Sequence, residues 1–165
     1  MISNISLILI SHKSKRLVLN YVKNIYNKLN IIIVENSNDF SLEEEIKKNY
    51  PNILFKYMTN NGYGAAINFG SKFVKTKYFI VSNPDVSGLD IINLEIFQKF
   101  AVKLHDKFSV LGPRFVNTDP KSITQSDVNK EIAEMRFLSG ACMFFNKKNF
   151  DLLGGFDENI FLYFD

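Results

Sequence analysis

Short apolar runs alternate with longer amphipathic segments along the whole 165-residue chain. Short apolar runs are typical of buried strands, and apolar residues at helical spacing are typical of helices packed on one face. The predicted strands are Ile5–Ile10, Ile31–Val34, Ile53–Tyr57, Tyr78–Ser82, Ser109–Gly112 and Gly140–Phe145. The predicted helices are Lys13–Leu29, a helix from a capping box at Ser41 to Lys48, Gly64–Lys75, Leu89–His105 and Lys147–Leu153. The polar stretch Thr118–Lys130 is predicted to be a loop.

This alternation predicts an α/β fold: a Rossmann-like, mostly parallel sheet flanked by helices on both faces. The length fits a single domain over residues 1–165. No run of residues approaches the roughly 20 apolar positions that span a bilayer. We therefore expect a cytoplasmic protein.

Charge and cysteine content exclude several functions. The net charge of +3 is too small to favour a nucleic-acid partner, although it is compatible with an anionic ligand or a loose membrane contact. The lone cysteine, Cys142, permits no intrachain disulfide, and with two histidines it cannot build a structural zinc site.

Polar residues follow each of the first four predicted strands. They are Ser11-His12, Glu35 to Asp39, Asn60-Asn61-Gly62 and Asn83-Pro84-Asp85. Open parallel sheets bind ligands beyond the carboxyl ends of their strands, near the point where strand order reverses. The pattern therefore predicts a binding site formed by these four loops.

Each motif taken alone has two interpretations. The segment Asn61–Ala66 has Ile67 where a dinucleotide fingerprint has glycine, so it is either a closely packed helix start or an anion site. The segment Asn83–Asp85 is either a turn or a carboxylate ligand for Mg²⁺ or Mn²⁺. Glu35 and Asp39 either flank a solvated loop or accept hydrogen bonds from a base or ribose.

The motifs in their order resemble the family-2 glycosyltransferases of the GT-A fold, especially the rhamnosyltransferase-like branch. The resemblance spans nearly the whole chain. It rests on Val34-Glu35-Asn36-Ser37, Asn61–Ala66 with Asn68 and Gly70, Ser82–Val86, Leu138–Met143 and Gly154–Glu158.

The resemblance implies nucleotide-sugar binding with a Mg²⁺ or Mn²⁺ cofactor. The nucleotide-binding residues would be Ser11, Glu35, Asn36, Asp39, Asn61, Gly62 and Asn83. Asp85 would bind the metal, with Asn83 standing where the family's Asp-x-Asp-like motif has its first acid. Asp157 and Glu158 would lead towards the catalytic base, which is expected just after Asp165, so we expect the domain to be incomplete at its C-terminus.

The implied activity is transfer of a sugar, with inversion, from a dTDP- or UDP-sugar to a saccharide or lipid-linked acceptor in cell-surface polysaccharide synthesis. Peripheral association with the inner face of the plasma membrane would suit a lipid-linked acceptor. Two alternatives stay open at this point. A sugar-phosphate nucleotidyltransferase would have a glycine-rich basic loop after the first strand, and Ser11 to Ser14 contain no glycine. The second alternative is a domain that binds a nucleotide without catalysing a reaction.

Overall fold

A computed structural model describes residues 4–115 and 130–162, which form a six-stranded sheet and five helices. The strands are β1 Ile5–Ser11, β2 Asn30–Glu35, β3 Leu54–Tyr57, β4 Tyr78–Ser82, β5 Val110–Leu111 and β6 Cys142–Asn146. The helices are α1 Lys15–Ile25, α2 Phe40–Asn49, α3 Tyr63–Ser71, α4 Ile91–Lys103 and α5 Lys147–Leu153. None of the helices in the described ranges combines the length and apolar character needed to cross a bilayer.

The sheet has the order β3-β2-β1-β4-β6-β5. Strands β1 to β4 run parallel, whereas β6 is antiparallel to both β4 and β5. The predicted α/β fold with a mostly parallel sheet is confirmed. The chain moves outward from β1 to β3 and then crosses to β4 on the other side of β1. The reversal of strand order therefore lies between β1 and β4, where such sheets bind ligands.

Helices cover both faces of the sheet, which explains why its strands are apolar without interruption. Leu7 and Leu9 belong to the core shared with α1, α2 and α4. Their neighbours Ile8 and Ile10 belong to the core shared with α3 and α5. Each central strand therefore buries alternate side chains on opposite faces.

Helix α3 packs unusually close to the sheet because it carries small residues. A Cβ atom built at Gly70 would lie 2.9 Å from Cγ2 of Ile8 and 3.0 Å from Cγ2 of Val34. Helix α3 starts after the loop that leaves β3, so its first turn lies at the carboxyl edge of the parallel strands.

The predicted capping box at Ser41 is wrong. Helix α2 begins at Phe40, and its N-cap is Asp39, whose Oδ1 accepts a hydrogen bond from the Leu42 amide at 3.0 Å. The Ser41 hydroxyl donates to the same carboxylate oxygen at 2.6 Å. An ionised carboxylate is a strong acceptor at the positive end of a helix, which explains why Asp39 is the cap.

The other departures concern boundaries. Helices α1, α3 and α4 are shorter than predicted, and the predicted strand at Gly140 begins at Cys142. The predicted loop Thr118–Lys130 lies, apart from Lys130, outside the described residues.

Candidate functional site

The carboxyl ends of the parallel strands meet at one edge of the sheet. Ser11 at the end of β1 is in register with Glu35 at the end of β2, and Glu35 is in register with Tyr57 at the end of β3. On the other side of β1, Ser82 ends β4 in register with Leu9. Two strand spacings separate β2 from β4, about 10 Å. The loops carrying the predicted site residues therefore leave the sheet at the same edge, on either side of β1.

Glu35 is buried at this edge with half of its carboxylate unpaired. Its Oε1 accepts from both the amide and the hydroxyl of Ser37, each at 2.5 Å. Its Oε2 is buried without a hydrogen-bond partner among the described residues. An unpaired buried carboxylate oxygen is energetically unfavourable, and native structures keep few of them. The atom is suited to accept an N–H or O–H group from a ligand.

A chain of hydrogen bonds joins the loops after β1, β2 and β3. His12 Nδ1 lies 2.9 Å from Asn36 Oδ1, and Asn36 Nδ2 donates to Asn60 Oδ1 at 3.2 Å. The Gly62 amide approaches the same Asn60 oxygen at 3.4 Å. The link between the loops is thus Asn60, whereas the predicted ligand residue Asn61 is exposed. Both asparagines stand in the same polar run, and the sequence does not indicate which side chain turns inward.

Ser11 is fully buried and shapes the first of these loops. Its Oγ lies 3.2 Å from Oγ of Ser14, and its carbonyl accepts from the Asn36 amide at 3.0 Å. The next connection between the two loops is a hydrogen bond from the Lys13 amide to Ser37 Oγ, 2.8 Å long. The backbone around Glu35 is therefore held in place by neighbouring loops.

Asp39 and its neighbours form hydrogen bonds within the protein at the start of α2. The hydrogen bond from Ser41 lowers the pKa of the Asp39 carboxyl. The Tyr57 hydroxyl donates to the Asp39 carbonyl at 3.4 Å and to Glu43 Oε2 at 3.2 Å. Desolvation and the hydrogen bond with Glu43 raise the pKa of Tyr57 to about 12, so its hydroxyl stays protonated at neutral pH. These contacts fix the side of the site next to β3, and a ligand role for Asp39 stays a prediction.

On the β4 side the chain presents Asn83 and Asp85. The backbone amide of Asn83 donates to the Ala141 carbonyl at 2.9 Å, which connects the end of β4 to the segment entering β6. Asp85 is exposed, and its carboxylate has no partner among the described residues.

The protein groups available as metal ligands around Asp85 limit which metal it could hold. No cluster of three His, Cys, Asp or Glu side chains occurs within residues 4–115 and 130–162. A single carboxylate does not suit zinc, which takes three or four protein ligands. It suits Mg²⁺ or Mn²⁺, hard cations that take their remaining ligands from phosphate oxygens and water.

A groove of about 790 Å³ opens next to Asn83. Tyr63, Gly140, Phe156 and Leu162 contribute to its mostly apolar wall. The Tyr63 hydroxyl donates to the Gly140 carbonyl at 2.8 Å across this wall. Among the described residues that line the groove, none belongs to the loops after β1 and β2. The edge therefore has two parts, a polar part around Glu35 and an apolar groove beyond Asn83.

The acidic residues near the end of the chain have hydrogen-bond partners, Asp157 within its own loop and Glu158 on α3. Asp157 Oδ1 accepts from the backbone amide of Asn159 at 3.0 Å and from its Nδ2 at 2.8 Å. Glu158 Oε1 accepts from Asn68 Nδ2 at 3.0 Å. Asp165, next to which the catalytic base was expected, lies outside the described residues.

Solved structures share this architecture. The crystal structure of S. aureus TarS 1–349 in complex with UDP has a TM-score of 0.71 at 16% identity, covering 97% of this chain and 52% of that one. The structure of TarS 1–349 in complex with UDP-GlcNAc has a TM-score of 0.67 at 16% identity, covering 92% of this chain and 47% of that one. At such identities the likeness shows the fold, that of the GT-A glycosyltransferases.

Sequence comparison identifies the family. The low-salt glycan biosynthesis hexosyltransferase Agl10 of Haloferax volcanii is 20% identical over an alignment 187 positions long, which covers 100% of this chain and 60% of the relative. The chain thus spans somewhat more than half the length of this relative. Glycosyl transferase family 2 matches residues 6–155, nearly all of the sequence, and the chain therefore belongs to that family.

Proposed function

We propose that this chain binds a nucleotide-diphosphate sugar at the carboxyl edge of its sheet and takes part in transferring the sugar to a saccharide or lipid-linked acceptor. The observation that carries the proposal is the unpartnered Oε2 of Glu35, buried where the loops of a parallel sheet converge. Family membership supports transferase chemistry. The complexes of TarS with UDP and UDP-GlcNAc support a UDP-type donor.

Glu35 would recognise the nucleoside by accepting a hydrogen bond. Uracil and thymine carry an imino N–H, and the ribose carries hydroxyl donors, all of which suit the free carboxylate oxygen. Cytosine presents an unprotonated ring nitrogen at the same position, which would face the carboxylate as a second acceptor. The proposed donor is therefore a UDP- or dTDP-sugar, held with the help of Ser11, Asn36 and Asn60.

The diphosphate would lie between the start of α3 and Asp85. Gly62 provides no side-chain cap, and the Tyr63 amide donates to the Phe161 carbonyl, so the amides of Gly64 and Ala65 in the first turn of α3 would be the ones to bind an anion. Asp85, with Asn83 beside it, would hold Mg²⁺ or Mn²⁺ on the opposite side of the diphosphate. When bound, that cation would neutralise the charge of the departing diphosphate.

The remaining details follow the resemblance. We propose inversion at the anomeric carbon, a rhamnosyltransferase-like donor site, and work in cell-surface polysaccharide synthesis at the cytoplasmic face of the plasma membrane. Neither Asp157 nor Glu158 is assigned as the base, because both carboxylates already stabilise the loop that carries them.

Calorimetric titration tests the nucleotide site. Glu35→Gln should weaken UDP binding about 10- to 100-fold, because hydrogen bonds to charged groups contribute about 1.5–3 kcal/mol. Glu45→Gln is the matched control, since Glu45 forms a partly exposed ion pair with Lys15 at 3.0 Å between α2 and α1. If the base donates the hydrogen bond to Glu35, UDP should bind more tightly than CDP. If a ribose hydroxyl donates it, the two nucleotides should bind equally tightly.

The metal role needs a second titration, with and without Mn²⁺. Asp85→Ala should remove the increase in UDP affinity that Mn²⁺ produces, while metal-free binding stays the same. Equal UDP affinity in the wild type, Glu35→Gln and Glu45→Gln would contradict the nucleotide site. An unchanged Mn²⁺ effect in Asp85→Ala would contradict only the metal ligand.

A further inference from the structure

The loop Gly155–Leu162 runs beside α3 and is attached to it through the side chain of Asn68. The Asn68 Oδ1 accepts from the Phe156 amide, and its Nδ2 donates to the Phe156 carbonyl, both at 2.9 Å. One amide group thus pairs with both backbone groups of Phe156, as a neighbouring strand would. The same Nδ2 also donates to Glu158 Oε1.

The loop has a second attachment at the start of α3. The Tyr63 amide donates to the Phe161 carbonyl at 3.1 Å. Tyr63 follows Gly62, whose amide approaches Asn60 in the proposed nucleotide site. The two attachments therefore fix the loop along α3 from Tyr63 to Asn68 and bring its far end against the loop that follows β3.

Gly155 lies directly against the Asn68 side chain, where there is no room for a Cβ atom. Its φ is +78°, and a Cβ atom there would lie 2.4 Å from Asn68 Oδ1. A side chain at this position would therefore displace the asparagine amide as well as strain the backbone. The glycine at position 155 therefore permits the close approach of the loop to Asn68.

The loop supplies one wall of the apolar groove beside Asn83. Phe156 and Leu162 line the groove, whereas Asn68 does not. Asn68 therefore lies outside the groove and contacts its wall through Phe156 of the loop.

We propose that Asn68 is a positioning residue for sugar transfer, because it holds the Gly155–Leu162 loop as the acceptor-side wall next to the nucleotide site. This assignment rests on the proposed function. It places the acceptor in the groove and makes the alignment of acceptor and donor, rather than donor affinity, depend on Asn68.

The test compares Asn68→Leu with Asn149→Leu in the full-length gene product. Asn149 is a matched control, because its Nδ2 also connects a helix to a distant backbone, donating to the carbonyls of Asp106 at 3.0 Å and Phe108 at 2.6 Å. That contact lies near Asn146, which pairs with Tyr78 at the opposite end of β4.

Asn68→Leu should lower kcat for sugar transfer about 10- to 100-fold, the effect expected when reacting groups are misplaced by about 1 Å. The UDP Kd and the donor KM should change by less than about threefold, since the nucleotide contacts are intact. Asn149→Leu should keep the wild-type kcat. Hydrogen exchange of the Phe156 amide should become faster in Asn68→Leu alone.

Several results would overturn the assignment. They are a wild-type kcat in Asn68→Leu, an equal fall of kcat in both variants, a parallel rise of the UDP Kd, or unchanged exchange at Phe156. The exchange measurement does not depend on activity. A wild-type protein that neither binds nor consumes any nucleotide sugar would refute the proposed function, independently of how Asn68 holds the loop.

Discussion

Replacing Gly62 by alanine tests how closely the loop after α5 contacts the start of α3. Gly62 has φ +108° and ψ 171°, a region essentially restricted to glycine, where another residue costs about 1–3 kcal/mol. An added Cβ would also lie 2.4 Å from the Phe161 carbonyl oxygen, a backbone atom. The loop would have to move and lose the hydrogen bond from the Tyr63 amide, about 1 kcal/mol more. The expected loss of unfolding free energy is therefore about 2–4 kcal/mol.

Gly154→Ala provides the comparison. Gly154 also has a positive φ, +83°, but a Cβ there would have nothing within 4 Å. Its replacement should cost only the left-handed backbone penalty, about 1–2 kcal/mol. Urea unfolding of both variants, with the slope m checked against wild type, gives the two values. Equal losses, within about 0.5 kcal/mol, would refute the close contact between Gly62 and Phe161.

Three further results are expected. Asp39→Ala should destabilise the protein by about 1 kcal/mol and Ser41→Ala by less, because Asp39 is the helix cap; the reverse order in urea unfolding would restore the predicted capping box. Burial raises the pKa of the Cys142 thiol to about 12, so a thiol reagent at pH 8 should label it only after unfolding, and rapid labelling of the native protein would contradict its burial. Hydrogen bonds from Lys77 and Tyr78 lower the pKa of Asp106. Its contribution to the free energy of unfolding is therefore present above the unfolded pKa of about 4 and is lost as the pH falls through the native pKa. Asp106→Asn should therefore lower the Tm at pH 7 and have a diminishing effect below about pH 4, whereas a constant difference would contradict the ion pair.

The arrangement of the sheet could be predicted largely from apolar periodicity. Continuous apolar runs separated by amphipathic segments indicate strands buried on both faces, as Ile5–Ile10 and Tyr78–Ser82 prove to be. The antiparallel course of β6 could not be predicted in this way. It follows a long connection, and the alternation of apolar runs contains no information about strand direction.

The meeting of the polar loops at one edge could be predicted, but not the arrangement of their side chains. Parallel strands direct their carboxyl ends to the same side, and a ligand at that edge stays a prediction. The choice between Asn60 and Asn61, and between Asp39 and Ser41, depends on backbone direction over one or two residues. The groove beyond Asn83 depends on a contact between α3 and a loop almost 90 residues later, which no local pattern reveals.

Nucleotide titration of uniformly ¹⁵N-labelled protein, followed by amide chemical shifts, tests the location of the site most directly. UDP is added with Mg²⁺ in place of Mn²⁺, because Mg²⁺ is diamagnetic. The titration should shift the amide signals around Ser11, Glu35, Asn60 and Asp85 together, with one common Kd. Amides at the opposite edge, near Tyr78, should stay unchanged. Shifts confined to that opposite edge, or none at saturating UDP, would contradict a nucleotide-sugar site at the carboxyl ends of the strands.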